Sequence, residues 1–316
     1  MIEVRFSTHK QQSTISHEDF LKHLHEEHGI SWIDVDNPTA DDLRFLEHTF
    51  GFHPLALEDT INQKQRPKAE EFEDHLFIIV NAFDADYASD PFQELDIFVG
   101  KHYFVTLHTK EESALDGLGR RIQSPPSNFT MSTTFLLYAL LDEVVDGYQA
   151  LLERTEDDLQ QLSSRILQNA DKSMLTQLFA TQQLLGEVNR ILLPHLDILK
   201  ILISHELVFI EKDSLYHLRD ISDHLLRSAD LTRQLRDTTS NLLNLYVSAE
   251  SNQFNKNITR LTLLTITIGT LTIISGFYGM NFTSTFPPFS SAWGVPFVVL
   301  LMALVSSMGF ILYKRQ

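Results

Sequence analysis

The chain has 316 residues, a formal net charge of −17 and no cysteine. The absence of cysteine excludes disulfides and thiolate metal sites, and the acidic balance disfavours nucleic acid, whose phosphates need Lys and Arg. No Asp or Glu follows Glu250, so the first 250 residues hold all 42 acidic side chains against 21 of the 25 basic ones, a net of −21. We therefore expect an acidic body, suited to cations, joined to a weakly basic apolar tail.

Residues 1–125 have the mixture of strand and helix signals expected of an α/β domain. Thr39 is placed to cap a helix that runs through ADDLRFLEHTF and ends at Gly51. Gly100 and Lys101 separate two strand candidates closely enough to predict a tight hairpin. The first residues lack the apolar core of a signal peptide. The strand candidates are 31–36, 75–83, 94–100 and 103–108.

Residues 126–257 form a second region, in which leucine and isoleucine recur at helical spacing with few breakers. The last of three predicted helices begins near Ser214 and continues into the first apolar segment of the tail. It contains no proline, and its first glycine is Gly269. An unbroken helix of this kind extends on the order of 80–100 Å. We expect it to carry motion from the acidic body directly into a membrane.

Residues 258–316 contain two uncharged segments. The first, 261–280, has twenty residues and the second, 295–313, has nineteen, so each helix reaches ~30 Å, about the thickness of bilayer hydrocarbon. The alternative is a pair of buried helices in a soluble core, but such stretches are hard to bury in so acidic a globule. Basic residues flank both segments, which would keep those ends cytoplasmic and leave only the loop 281–294 outside. These residues are Lys256, Arg260, Lys314 and Arg315.

The first apolar segment has more hydroxyl groups than a simple anchor needs. Thr265 and Thr272 are seven residues apart, as are Asn255, Thr262 and Gly269, and both rows lie on one face of a helix. Such a face either packs against neighbouring helices through small-residue contacts or faces water. A water-filled pore would require several copies of the chain, because two spans cannot enclose one.

Other chemical motifs are weak. The segment HLHEEHG at 23–29 differs from the zinc-protease pattern H-E-x-x-H by one position, because Gly29 stands four residues after His25. His25 and His28 could share a metal ion, but solvated helix residues are the commoner outcome. Acidic runs at 142–146 and 153–158 are either a solvated face or a means of concentrating cations near a pore. We predict that the protein is not an enzyme.

Two longer matches point to a family. YGMNF, which ends the first apolar segment, resembles the CorA divalent-cation transporters, whose signature is Gly-Met-Asn. The block FGFHPLALEDTINQKQRPKAEEFEDHLFII at 50–79 is similar to the family's cytoplasmic motif, and DEVVDGY at 142–148 opens the long helices as in that family. The resemblance covers most of the chain. It implies an α/β N-terminal cytoplasmic domain, long α-helices and two C-terminal transmembrane helices in a funnel-shaped homopentamer.

The resemblance also implies residue roles. Mg²⁺ dehydrates reluctantly, so a ring of Asn281 amide oxygens, with Gly279 and Met280, would select the hydrated ion. Regulatory Mg²⁺ would lie between subunits at Asp59 and Asp220, with Glu58 nearby. The protein would lie in the inner membrane of a bacterium, with both termini on the cytoplasmic side. Its partners would be lipid and divalent cations. The family's pore positions fall on Asn255, Ile258, Leu261, Thr265, Gly269 and Thr272.

The chain departs from the family pattern in two places. The loop after the signature lacks the usual acidic residues, and Gly269-Thr270 replaces the usual Met-Pro. Selectivity for Mg²⁺ over Co²⁺ or Ni²⁺ therefore stays open. One alternative is a zinc transporter of the same superfamily, which Met280 disfavours and the neutral loop leaves open. Another is a membrane-anchored metal sensor that conducts poorly.

Overall fold

The computed structural model describes residues 2–7, 10–11, 30–85, 91–110, 113–123, 131–204, 207, 210, 214–280, 286 and 292–314. The histidine cluster at 23–29, the predicted filter residue Asn281 and nearly all of the loop that follows it lie outside the described residues.

The first part of the chain contains strands and short helices, and long helices follow. The strands are β1 (Ile2–Ser7), β2 (Lys10–Gln11), β3 (Ser31–Asp36), β4 (Lys68–Glu71), β5 (Leu76–Phe83), β6 (Phe92–Val99) and β7 (Tyr103–His108). The helices are α1 (Ala40–Phe50), α2 (Pro54–Ile61), α3 (Ser113–Gln123), α4 (Thr133–Gln168), α5 (Lys172–Ser204), α6 (Leu215–Tyr278) and α7 (Gly294–Lys314).

The described strands form one mixed sheet in the order β2-β1-β3-β7-β6-β5-β4. Strands β3 and β7 run parallel, whereas neighbours such as β5 and β6 are antiparallel. The predicted hairpin joins β6 to β7, and the amide of Gly100 donates to the carbonyl of Tyr103 at 2.9 Å. A Cβ on Gly100 would overlap the Tyr103 ring, which explains glycine at this turn. The four predicted strands and the hairpin are thus confirmed.

Helix α1 begins and ends as its sequence indicates. The Thr39 hydroxyl accepts the Asp42 amide, and the Asp42 carboxylate accepts the Thr39 amide at 3.0 Å, which completes a capping box. Gly51 ends the helix with φ 68°, in the left-handed region that glycine adopts without steric cost. Helices α1 and α2 then cover one face of the sheet, where Phe52 stacks on Phe98 with ring centroids 4.0 Å apart.

The open edge of β5 is closed by side chains from two long helices. Strand β4 pairs with residues 76–79 of β5, and none of the described strands pairs with Asn81 on that side. The amide of Asn81 donates to Nε2 of His195 in α5 at 3.3 Å, and its carbonyl accepts the Tyr148 hydroxyl from α4. Both side chains are buried. These two bonds satisfy the backbone amide and carbonyl of Asn81, and a buried backbone group without a hydrogen-bond partner would cost stability.

Helix α6 has 64 residues and is continuous, which confirms the predicted long helix and gives it a length of ~96 Å at about 1.5 Å per residue. The chain divides into two compact units. One contains Met1–Leu162 and Thr176–Ser240, and the other contains Ser163–Leu175 and Asn241–Gln316. The domain boundaries predicted from the sequence stay a prediction. By length and composition, α6 and α7 could each cross a membrane.

Candidate functional site

The first candidate site is one face of α6 in the second unit. Ile258 and Leu261 are 45% and 64% exposed in the single chain, and Gly269 is half-buried. Large apolar side chains in such positions indicate a surface that another molecule or a membrane covers. The predicted pore positions follow this face: Asn255, Ile258, Leu261, Thr265, Gly269 and Thr272.

Helix α7 packs on the opposite face of α6. A Cβ on Gly309 would overlap the Thr267 side chain, so the two backbones approach closely at this point. The Arg260 guanidinium lies 5.8 Å from the centre of the Tyr313 ring. From Arg260 to Thr267 the residue numbers rise along α6, whereas their partners on α7 fall from Tyr313 to Gly309. The two helices are therefore antiparallel. At ~100° per residue, Thr267 lies roughly 120° to 180° around α6 from every predicted pore position.

The burial pattern of α6 agrees with this arrangement. Between 261 and 278 the half-buried side chains lie mainly on the face toward α7, and Thr265 and Thr272 are exposed on the other face. The half-buried side chains on the α7 face are Leu263, Thr267, Thr270, Leu271, Ile274 and Tyr278.

The threonine hydroxyls of α6 donate inward. Thr265 Oγ1 donates to the Leu261 carbonyl at 2.9 Å, and Thr272 Oγ1 donates to the Ile268 carbonyl at 2.8 Å. A hydroxyl has one proton and two lone pairs. Each oxygen therefore presents only acceptor capacity outward, which suits the water shell of a cation.

Helix α6 ends where the signature begins. The Gly279 amide donates to the Ser275 carbonyl at 2.9 Å, and a Cβ on Gly279 would lie 3.1 Å from that carbonyl oxygen. The Tyr278 hydroxyl donates to the Phe286 carbonyl at 2.9 Å and ties the helix end to the following loop. Phe286 in turn contacts Trp293 edge-on at 6.5 Å. Met280 is exposed, so the described part of the signature stands at an open helix end.

The second candidate site is in the first unit, at the end of α2. Asp59 is half-buried, and Lys68 Nζ lies 2.6 Å from its Oδ2. The same ammonium lies 2.7 Å from Oε1 of Glu70. Burial lowers the pKa of Lys68, but the hydrogen bonds to Asp59 and Glu70 outweigh it and the net pKa lies above its ordinary value. Asp59 is therefore already paired with a cation of its own chain.

A buried carboxyl adds to the electrostatics of this region. Lys68 pairs with Ile79 and Ile79 with Asp96 in register, which puts Lys68 and Asp96 on the same face of the sheet. Burial raises the pKa of Asp96 well above its usual range, and the Glu94 carboxylate raises it further. Both effects favour the neutral form of Asp96.

The other predicted regulatory residues are exposed. The Asp220 side chain is 66% exposed on α6, and its Oδ1 lies 3.7 Å from Nε2 of His224 one turn later. Glu58 is exposed next to Asp59. Within the described ranges, no three or more His, Cys, Asp or Glu side chains are grouped closely enough to hold a metal ion.

The sequence pattern does not predict the ion pairs of two basic residues. Lys68 stands within the motif at 50–79, and strand alternation puts Lys68 and Glu70 on one face. Arg121 on α3 pairs with Asp142 at 2.6 Å and with Glu143 at 2.8 Å. Arg121 therefore offsets part of the negative charge of the first acidic run, and the exposed run at 153–158 has the pattern of a solvated face.

The sequence of the chain matches a known protein family. The family model described as CorA-like Mg2+ transporter protein matches residues 27–315. The chain belongs to the CorA-like Mg²⁺ transporter family. This confirms the family predicted from the Gly-Met-Asn signature and the block at 50–79.

Two curated CorA relatives match nearly the whole chain. The cobalt/magnesium transport protein CorA of Thermotoga maritima is 29% identical over 290 residues, which are 90% of this chain and 82% of that protein. The cobalt/magnesium transport protein CorA of Methanocaldococcus jannaschii is 25% identical over 295 residues, 92% of each protein. Both are named as transport proteins rather than enzymes.

Solved structures confirm the fold class. The complete CorA magnesium transporter of Methanocaldococcus jannaschii matches with a TM-score of 0.77 at 24% identity, over 97% of this chain and 94% of that one. The full-length CmaX protein matches with a TM-score of 0.73 at 16% identity, over 92% and 89%. An α/β N-terminal domain, long helices and two C-terminal apolar helices are thus the architecture of this CorA-family chain.

Proposed function

We propose that this CorA-family chain forms a homopentameric channel that passes hydrated Mg²⁺ through the inner membrane of a bacterium. Co²⁺ and Ni²⁺ are further candidate substrates. The membrane potential drives the ion inward and supplies about 2.3 kcal/mol per charge per 100 mV. No chemical step is required.

The observation that carries the proposal is the exposed face of α6 opposite α7. With α7 on the outside of a ring, that face turns toward the central axis. Thr265 and Thr272 donate their protons to their own helix, so their oxygens accept hydrogen bonds from the waters around the ion. The same face has exposed apolar side chains at Ile258 and Leu261, which in a ring form a constriction that closes by dewetting.

The filter follows the end of α6. The signature residues Gly279 and Met280 end the helix, and a ring of Asn281 amide oxygens selects the hydrated ion, since Mg²⁺ keeps its water shell. The bond from Tyr278 to the Phe286 carbonyl supports this arrangement because it holds Phe286 near the helix end. Without acidic residues in the loop, ion capture relies on these amide and carbonyl dipoles.

Orientation follows from charge. The antiparallel packing of α6 and α7 brings Arg260 near Tyr313, and Lys256 and Lys314 flank the same end. Basic flanks stay cytoplasmic. The acidic body and both termini are therefore on the cytoplasmic side in this proposal.

Regulation rests on carboxylates that face a neighbouring subunit. Asp59 and Glu58 at the end of α2 and Asp220 on α6 repel across the interface until a dication bridges them. Loss of cytoplasmic Mg²⁺ would loosen the ring and open the pore, so internal Mg²⁺ limits its own entry. The exposure of Asp220 and Glu58 supports an inter-subunit site, because exposed carboxylates can be covered by a neighbouring chain.

The test is Mg²⁺ uptake into proteoliposomes that contain a Mg²⁺-sensitive dye. Wild-type protein is expected to give uptake driven by an inside-negative potential, and Asn281→Ala is expected to reduce it at least tenfold. Asn169→Ala, at an exposed position after α4, is the matched control and should leave uptake unchanged. No uptake by folded, oligomeric protein would reject the Mg²⁺ channel. Zn²⁺ uptake under a proton gradient would then support the zinc transporter, and ion binding without flux would support the sensor.

A further inference from the structure

Lys68 already occupies the place of a cation at the proposed regulatory site. Its ammonium nitrogen lies 2.6 Å from the Asp59 carboxylate and 2.7 Å from the Glu70 carboxylate. It also lies 5.8 Å from the centre of the Phe77 ring, whose face attracts a positive charge. The Lys68 ammonium is therefore held by two carboxylates, Asp59 and Glu70, and by the Phe77 ring.

We propose that Lys68 is a built-in competitor of the regulatory dication and sets the Mg²⁺ concentration at which the channel closes. This rests on the proposed inter-subunit role of Asp59. At low cytoplasmic Mg²⁺ the Lys68 ammonium neutralises Asp59. At high Mg²⁺ the dication takes Asp59, and Lys68 keeps its bond to Glu70.

The pair differs from an ordinary surface ion pair. Lys68 and Asp59 are 32% and 26% exposed, whereas the side chains of the Arg44–Asp41 pair are 69% and 89% exposed. An exposed pair is screened by water and salt and contributes little. The half-buried ammonium is tethered next to Asp59, so it competes intramolecularly at a high effective concentration.

The charges near Asp59 fix the direction of the effect. Lys68, Asp59 and Glu70 together carry a net charge of −1, and removing Lys68 leaves −2 for the incoming dication. On the same face, burial favours the neutral form of Asp96. Losing one positive charge ~5 Å from a dication in a high-dielectric setting strengthens its binding about tenfold.

Glu70 gives a second test in the opposite direction. It accepts the Lys68 ammonium when the dication displaces that ammonium from Asp59. With Glu70→Gln, Lys68 loses this alternative partner and holds Asp59 more firmly, and the site also loses one negative charge that attracts the dication. The Mg²⁺ concentration for closure should then rise, by about two- to threefold.

The experiment uses full-length protein in proteoliposomes and measures flux against Mg²⁺ on the cytoplasmic face. Protection from proteinase K in the same Mg²⁺ series gives an independent reading of closure. Lys68→Met should lower the half-closing concentration about tenfold, and Lys68→Arg should stay within about twofold of wild type. Lys200→Met removes a lysine from an exposed ion pair with Asp197 and should change nothing.

Each result decides between two claims. If Asp59→Asn leaves Mg²⁺-dependent closure unchanged, the regulatory site itself is wrong and the competitor role of Lys68 with it. If Asp59→Asn shifts closure but Lys68→Met does not, or raises the concentration, only the competitor role is wrong. Opposite shifts for Lys68→Met and Glu70→Gln are the expected outcome, and shifts in the same direction would overturn it.

Discussion

We predict that protonation of the buried His195 lowers the folding stability of the first unit at acidic pH. Complete burial lowers the pKa of His195 from 6.5 to about 4, while its Nδ1 bonds the Ile191 carbonyl. The neutral ring accepts the Asn81 amide through Nε2, and a protonated ring would lose that acceptor. Since the unfolded chain binds this proton more readily, the stability contributed is present above the unfolded pKa and is lost as the pH falls from about 6.5 to about 4.

The magnitude follows from the two pKa values. Linkage gives a loss of about 2 kcal/mol at pH 5 and on the order of 3 kcal/mol below pH 4, because one pKa unit corresponds to about 1.36 kcal/mol. The assay is urea unfolding of full-length protein at pH 7.5 and pH 5, followed by the fluorescence of buried Trp32. A Trp293→Phe background makes Trp32 the sole tryptophan.

A comparison of variants isolates this histidine. His195→Gln removes the titration, so its loss of stability between the two pH values should be smaller than that of wild type by about 2 kcal/mol. His102→Gln, at an exposed position in the β6–β7 hairpin, should retain the wild-type pH dependence. The reasoning is refuted if wild type and His195→Gln lose the same stability between pH 7.5 and pH 5.

Three further predictions concern the membrane helices. Thr272→Val should reduce Mg²⁺ flux several-fold because it removes a water acceptor from the pore face, whereas Thr270→Val on the α7 side should not. Gly309→Leu should lower the thermal stability of the oligomer by about 1–3 kcal/mol, since the new side chain overlaps Thr267. Leu261→Asn should raise flux at high Mg²⁺, because a polar ring keeps the constriction wet.

Each of these has an outcome that contradicts it. Equal flux loss for both threonine variants would mean that the faces of α6 are wrongly assigned. Gly186→Ala, where an added Cβ meets nothing within 4 Å, is the control for glycine replacement, and an equal loss of stability there would remove the packing argument. A Leu261→Asn channel that still closes fully at high Mg²⁺ would place the constriction elsewhere.

Local signals explain why part of the fold could be predicted. Thr39 and Gly51 mark the ends of α1 through bonds within a few residues, so their pattern is legible in the sequence. The long α6 was predictable because no proline interrupts its apolar repeat. The two apolar segments needed only their length and lack of charge.

Other features depend on tertiary contacts that no local pattern carries. Strand β4, KAEE, is a polar edge strand, and edge strands often bear charges that hide them from a hydrophobic pattern. The sequence pattern does not indicate helix α3, because Gly117 and Gly119 interrupt a short segment. The partners of Lys68 and His195 come from distant segments, and only the folded sheet brings them together.

The most direct test of the central claim is whether water reaches the face of α6 opposite α7. The chain has no cysteine, so single replacements can be probed with a charged thiol reagent in proteoliposomes without further mutation. Thr265→Cys and Thr272→Cys should react and lose Mg²⁺ flux, while Thr267→Cys, packed against Gly309, should stay unreactive with flux intact. Reaction at Thr267→Cys but not at Thr265→Cys or Thr272→Cys would contradict the proposed pore.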